Sequence, residues 1–255
     1  MKLIKRLTQC RNIFKLLKTS NENKPKADIP DHSNPSINMD KQAIFIAVPK
    51  TGTTSIRTQF RPKGSFLVKN VHLNICQVRD SIYVYLLMQQ LSTNFSFPNA
   101  HALSDTEIRH KAHLIFTSFF KFASVRNPWA RAVSLYKRRE GVKMSNDISF
   151  NEFIEQHIYA SDTCRQPTLH KNQYDWLCDE EGKFLMDYVY KLENFDTAIK
   201  EIAEITNNRV KLMSLQKNVN PVSSSVVYRD VYNDRTKNMI AKRFEKDIDY
   251  FKFTF

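Results

Sequence analysis

AIFIAVPKTGTTSIRTQF, spanning Ala43 to Phe60, is the stretch that decides the fold. Ala43 to Val48 is a short apolar run with β-branched Ile44, Ile46 and Val48, which suits a buried parallel strand better than a helix of so few residues. Pro49 ends it. Lys50 to Thr53 then make a small polar turn around Gly52, and from Thr54 a helix carries Ile56 and Phe60 at i and i+4. Strand, tight turn and helix start together form an anion site. The free N–H groups point one way, the helix dipole favours negative charge, and the Lys50 ammonium and the Thr53 and Thr54 hydroxyls join them. A phosphate-like group therefore belongs on Lys50, Thr51, Gly52, Thr53 and Thr54.

Glycine usage sharpens this reading. The chain holds only 4 Gly in 255 residues, where average usage of about 7% would give roughly 18, and one of the four lies in this turn. The alternative for K-T-G-T-T taken alone is an ordinary βα loop. Lys50 precedes the glycine, whereas an ATP-hydrolysing P-loop places its Lys after the last one.

Around this unit, the length and 42% hydrophobic residues suit one α/β domain with a sizeable core. The net charge of +13 implies an anionic partner without choosing between nucleotide, polyanionic acceptor, nucleic acid and membrane surface. Cys10, Cys76, Cys164 and Cys178 are widely spaced with no C-x-x-C pair. They suggest neither a zinc site nor a disulfide framework, and fit reduced thiols in a cytoplasmic compartment. Residues 2–18, KLIKRLTQCRNIFKLLK, set Leu3, Ile4, Leu7, Ile13, Phe14 and Leu17 among six basic residues. That is an amphipathic basic helix, too short and charged to span a bilayer and without a signal peptide's apolar core. It suits a docked N-terminal helix or a peripheral membrane-surface contact. Residues 19–41, with three prolines, have a linker's composition, so residues 1–41 form an N-terminal segment and linker and residues 42–255 the domain.

Further along, Ser81 to Leu91 is an apolar core helix. Ser104 and Glu107 have capping-box spacing, which starts a helix at 104 and leaves His101 in the loop before it. Phe116 to Val125 is the second strong strand, and Asn127-Pro128 supplies an N-cap and N1 proline for a helix to about Arg139. In this second unit Arg126, at a strand's carboxyl end, is placed for a second phosphate, with Ser134 on the helix after it. A solvated basic helix face is the alternative there. Ser149 and Glu152 repeat the capping box. Strands follow at Tyr188–Leu192 and Val210–Leu215, with helices from Asn194 to about Ile205 and from Asn233 to about Asp247.

At this point the residues carry a resemblance. Val48 to Thr54 resembles the 5′-phosphosulfate loop of sulfotransferases that use 3′-phosphoadenosine 5′-phosphosulfate (PAPS). FKFASVRNPW, Phe120 to Trp129, followed by Arg131, Ser134 and Tyr136, resembles the 3′-phosphate segment of the carbohydrate branch of that family. Similarity extends to Gln173-Tyr174, to Leu192-Glu193-Asn194 and to the ending from Tyr228, covering roughly residues 43–255. The resemblance implies a P-loop-like three-layer α/β domain with a central parallel sheet flanked by helices. It implies that Lys50, Thr53, Thr54 and the backbone around Gly52 hold the phosphosulfate, while Arg126 and Ser134 hold the 3′-phosphate. It implies PAPS as sulfuryl donor, no metal, a carbohydrate or glycoconjugate acceptor, and no nucleic acid.

Sulfuryl transfer also needs a base for the acceptor's proton. His72, His101, His110 and His113 lie between the two segments. His101 is the expected base, because His101-Ala102 and Glu107-Ile108-Arg109 resemble the family's segment there; His72 is the rival, and His110 and His113 fall inside the helix. Two other functions stay open. A phosphoryl-transfer enzyme would need Mg²⁺ and a carboxylate to hold it; a non-catalytic polyanion-binding module would show steep salt dependence.

Overall fold

The computed structural model describes residues 29–94, 103–137, 148–158, 171–214 and 228–255. Four strands run β1 Ile37–Asn38, β2 Ala43–Ile46, β3 Phe120–Val125 and β4 Tyr188–Lys191, and lie in that order across one sheet. β2, β3 and β4 are parallel, with Ile46 opposite Ala123 and Val125 opposite Lys191. The sheet is mixed rather than purely parallel, because β1 pairs antiparallel with β2. A tight turn joins the two, closed by Gln42 N–H donating to the Met39 carbonyl, and so short a connection permits only an antiparallel pair.

Alternation along the strands builds the layers. Ile44, Ile46, Val48, Ala123 and Val125 face one way, onto Val78 and Ile82 of α2 (Ile75–Asn94) and Ile108, Ala112 and Ile115 of α3 (Asp105–Ser118). Ala43, Phe45, Ala47, Phe120 and Phe122 face the other, onto Ile56 and Phe60 of α1 (Thr53–Phe60) and Ala198 and Ile202 of α6 (Phe195–Ile205). A sheet covered on both faces needs the unbroken apolar runs seen in β2 and β3. Phe45, Phe60 and Phe122 are each fully buried and meet with ring centroids 5.0 to 6.2 Å apart. A third cluster joins α4 (Pro128–Tyr136), α5 (Phe150–His157) and α7 (Asp234–Arg243) through Trp129, Val133, Phe153, Ile154 and Ile240. α8 (Glu245–Phe251) follows α7 after a break at Phe244, so the single last helix expected from sequence is two. Among the described residues no helix is long and apolar enough to cross a membrane.

Three segments differ from the sequence reading. Residues 116–118 finish α3 instead of starting β3, because Phe116 and Ile115 continue the helix's buried stripe of Ile108 and Ala112 at i+3, i+4, i+7 and i+8 spacing. Residues 210–214 are not a strand. Val210 and Leu212 are buried in the second-face cluster, but the backbone at Met213 is held by both ends of the Gln59 side chain, at 2.7 and 3.0 Å. The end of the supposed linker belongs to the domain: Asn34 is fully buried and bonded to Ser81, and Asn38 donates to the Phe60 carbonyl at 2.6 Å. Its polar side chains serve turns and helix contacts rather than solvent. Residues 2–18 lie outside the described residues.

The caps at Ser104, Asn127 and Ser149 agree with the sequence, and the one expected at Asn194 does not form. Ser104 accepts the Glu107 N–H while Glu107 Oε2 accepts the Ser104 N–H at 2.7 Å, and Ser149 and Glu152 repeat the arrangement. Asn127 caps α4, with Pro128 at N1; Asn194 makes no side-chain cap and instead ends a 3₁₀ turn, Leu192–Asn194, that leads into α6. Ser104→Ala should cost about 1 kcal/mol, lowering the melting temperature by about 2 to 4 °C in a chain of this size. Thermal unfolding followed by circular dichroism checks it; an unchanged midpoint would show that the reciprocal cap contributes nothing.

Candidate active site

The chain leaves β2 through Val48 and Pro49 into a turn with two left-handed residues, Lys50 at φ 70° and Gly52 at φ 74°. Gly52 is doubly required. Its φ disfavours any side chain, and a Cβ there would lie 2.5 Å from Leu192 Cδ1. Lys50 adopts the same region without that freedom, a strain of about 1 to 2 kcal/mol held by the surroundings.

Those surroundings are specific. Thr51 is fully buried; its hydroxyl donates to the Val48 carbonyl at 2.9 Å and lies 2.7 Å from Ser124 Oγ, which in turn donates to the Thr51 carbonyl. The sequence counts Thr51 among the anion-facing residues, but its hydroxyl is committed beneath the turn, so it offers a ligand only main chain. Thr53 is buried and Thr54 exposed at the first turn of α1. That turn holds no acidic residue, and Gly52 makes no side-chain cap. Its N-cap thus lacks the side-chain acceptor that Ser104, Asn127, Ser149 and Asn233 provide at other helices, and the positive end of α1 suits an external anion.

Parallel pairing of β2 with β3 brings the second turn beside the first. Arg126, only 9% exposed, extends Nη1 to 3.5 Å from the Lys50 carbonyl. Burial holds its guanidinium pKa below the ordinary value, against the opposing charge of Glu193. Arg131 is buried in the first turns of α4. Its Nε donates to the Pro49 carbonyl at 3.1 Å and its Nη1 to the Lys171 carbonyl at 3.3 Å, while Nη2 has no hydrogen-bond partner among the described residues. Burial pushes the Arg131 pKa down to about 10, with Asp247 opposing. Ser134 is half-buried one turn further along α4, at i+3 from Arg131 and hence on the same face. Lys50, Gly52, Thr53, Thr54 and Arg126 therefore gather at the carboxyl ends of two neighbouring strands, where ligands of parallel sheets bind.

The histidines separate by position. His72 is half-buried with Nδ1 2.7 Å from the Ala47 carbonyl, at the end of the β2 segment. His110 and His113 are exposed on α3. His101 lies outside the described residues, as do residues 141–147 and 159–170. Among the described residues no group of three or more His, Cys, Asp or Glu is placed to hold a metal ion.

Residue-level reading missed the parts that brace the site. Gln173, fully buried, grips the main chain of Arg126, and Asp247, also fully buried, grips the main chain of Gln173 and Tyr174. Glu193 accepts the Asn127 N–H at 3.3 Å. Their one signal was the family resemblance at Gln173-Tyr174 and Leu192-Glu193-Asn194.

Fold and site together define a mixed α/β protein with a four-stranded sheet flanked by helices and a group of cationic residues at the carboxyl ends of its parallel strands. The family model described as sulfotransferase family matches residues 35–254, nearly the whole chain, and the chain belongs to that family. Comparison with curated proteins and with solved structures gave no match. Membership supports sulfotransferase activity and implies a sulfuryl donor and an acceptor substrate.

Proposed function

We propose that the chain transfers a sulfuryl group from PAPS to a hydroxyl of a carbohydrate or glycoconjugate, using a P-loop-like turn as its donor site. The observation that carries this reading is the pairing of an uncapped, acid-free α1 start behind Lys50 with the buried Arg126 guanidinium, 3.5 Å from the Lys50 carbonyl. Two neighbouring turns thus offer two anion positions, which fits a donor with phosphates at both ends of its ribose. Lys50, Thr53, Thr54 and the main chain at Thr51 and Gly52 would hold the 5′-phosphosulfate, and Arg126 with Ser134 the 3′-phosphate. When bound, PAPS supplies the sulfuryl group and its phosphate leaving group. Lys50 and the α1 dipole stabilise negative charge that grows on the leaving oxygen during in-line transfer. His101 takes the acceptor's proton. The transferred group carries less charge than a phosphoryl group, so the chemistry does not demand a metal.

His72 is a second reading for the base, favoured by one observation. A ring Nδ1 facing a carbonyl must carry the proton, which leaves the lone pair on Nε2. The carbohydrate acceptor is supported by the Phe120–Trp129 resemblance. The +13 charge agrees with an anionic glycan. Contact of residues 2–18 with a membrane surface is part of the same proposal.

Thermal unfolding tests the donor assignment against its rivals. The adenosine 3′,5′-bisphosphate product (PAP), at about 100 times its dissociation constant, should add roughly 2.7 kcal/mol, or about 5 to 10 °C. ATP with Mg²⁺ should add far less. A shift with ATP and Mg²⁺ and none with PAP would replace this reading with phosphoryl transfer; no nucleotide shift at all would favour a polyanion-binding module.

A further inference from the structure

We propose that Gln173 is the positioning residue for Arg126, and so sets the selectivity of this site for a 3′-phosphorylated nucleotide; the inference rests on the PAPS reading above. The ladder between β3 and β4 ends at the pair Val125 and Lys191. Arg126 is the next residue and is buried, so its main-chain groups need partners that the sheet no longer supplies. The Gln173 side-chain amide supplies both. Its Oε1 accepts the Arg126 N–H and its Nε2 donates to the Arg126 carbonyl, each at 2.8 Å. That reciprocal pair imitates one hydrogen-bonded residue pair of a strand and prolongs β3 by a residue on a side chain alone.

Fixing both main-chain groups fixes the direction in which the Arg126 side chain leaves the backbone. Gln173 is itself held: its N–H donates to Asp247 Oδ2 at 2.7 Å and the Tyr174 N–H to Oδ1 at 2.9 Å, so both oxygens of a fully buried carboxylate are used. Asp247 comes from the first turn of α8, far from the site in sequence. The same segment steadies the second arginine, since the Lys171 carbonyl accepts from Arg131 Nη1. The chain therefore runs from α8 through Asp247 and Gln173 to Arg126, whose guanidinium meets the turn at Lys50.

An arginine held this way acts through its placement, so loss of Gln173 should erode recognition of the 3′-phosphate and spare the rest of the nucleotide. The test measures binding of PAP and of adenosine 5′-phosphate, which lacks the 3′-phosphate, to the full chain by calorimetry, together with kcat and KM for PAPS. Arg126→Ala, removing a charge-assisted bond, should weaken PAP on the order of 10- to 100-fold. Gln173→Ala should weaken PAP by about 10-fold, leave adenosine 5′-phosphate within about 2-fold, and raise KM with kcat nearly kept. In the double variant the two losses should not add, because Gln173 works through Arg126.

If Gln173→Ala does not fold, the isosteric Gln173→Glu carries the test. It can still accept the Arg126 N–H but sets an oxygen against the Arg126 carbonyl, and should lose part of the preference. A folded variant that keeps the wild-type ratio of the two affinities, or loses both equally, overturns the inference. A wild-type chain that binds both nucleotides alike overturns the donor reading and this inference with it. A wild type that discriminates, beside variants that still do, overturns the inference alone.

Discussion

Lys50→Ala should remove most sulfuryl transfer and leave the protein folded. Lys50 is half-buried at the mouth of the turn and belongs to none of the three apolar clusters, so truncation makes no cavity in the core. Its φ of 70° disfavours alanine about as much as lysine, so backbone strain is unchanged. What is lost is a cation beside the start of α1, which on the proposed reading would face the oxygen that gains charge as the sulfuryl group departs. Removing one preorganised stabiliser of this kind costs about 10²- to 10³-fold in kcat. Lys50 also holds the 5′-phosphosulfate before the reaction, so KM for PAPS should rise as well and kcat/KM should fall by more than kcat. Lys50→Gly is the matching control. It loses the same charge but relaxes the left-handed residue, and should be equally inactive with a melting temperature at or above that of Lys50→Ala. Steady-state rates at saturating PAPS, with PAP-free melting curves, decide the matter. Turnover within about 10-fold of wild type in both variants would take Lys50 out of the chemistry.

Much of this arrangement could be read from the sequence because it is local. The β2 run, the Gly52 turn and the α1 start are adjacent in the chain, and the boxes at Ser104 and Ser149 and the Asn127-Pro128 start are each written within four residues. Reading failed where the partner is remote. Nothing near Gln173 shows that its amide will complete the backbone at Arg126, or that Asp247 from the last helix will hold it. The Val210–Leu215 run has a strand's composition, but composition cannot tell an edge segment pinned by the Gln59 side chain from a strand with a ladder. Phe116 and Phe120 lie in one apolar run, and only the helical stripe from Ile108 assigns the first to α3. The segment before β1 looks like a linker because asparagine and serine serve both solvent and turns. Its burial is a tertiary fact.

The base assignment gives the second large effect. His101→Ala should lower kcat by roughly 10² to 10⁴ with PAP affinity nearly unchanged, because a general base acts on the acceptor and not on the donor. His72→Ala should behave differently. Its ring is hydrogen-bonded to the Ala47 carbonyl, where β2 gives way to the turn at Lys50. Losing that bond leaves a buried carbonyl short of a donor and should reduce stability by about 1 to 3 kcal/mol, with a much smaller change in kcat. The pH profile supplies a second discriminator. A histidine base works only when neutral, so kcat should rise with pH as the ring loses its proton, and lose that limb when the base is removed. The limb should vanish in His101→Ala and persist in His72→Ala. The opposite pattern, with the large kcat loss and the vanished limb both in His72→Ala, would move the base to His72 Nε2, since the Nδ1–H bond to Ala47 fixes the tautomer of the neutral ring. Full activity in both variants would leave proton removal to a group other than these two histidines.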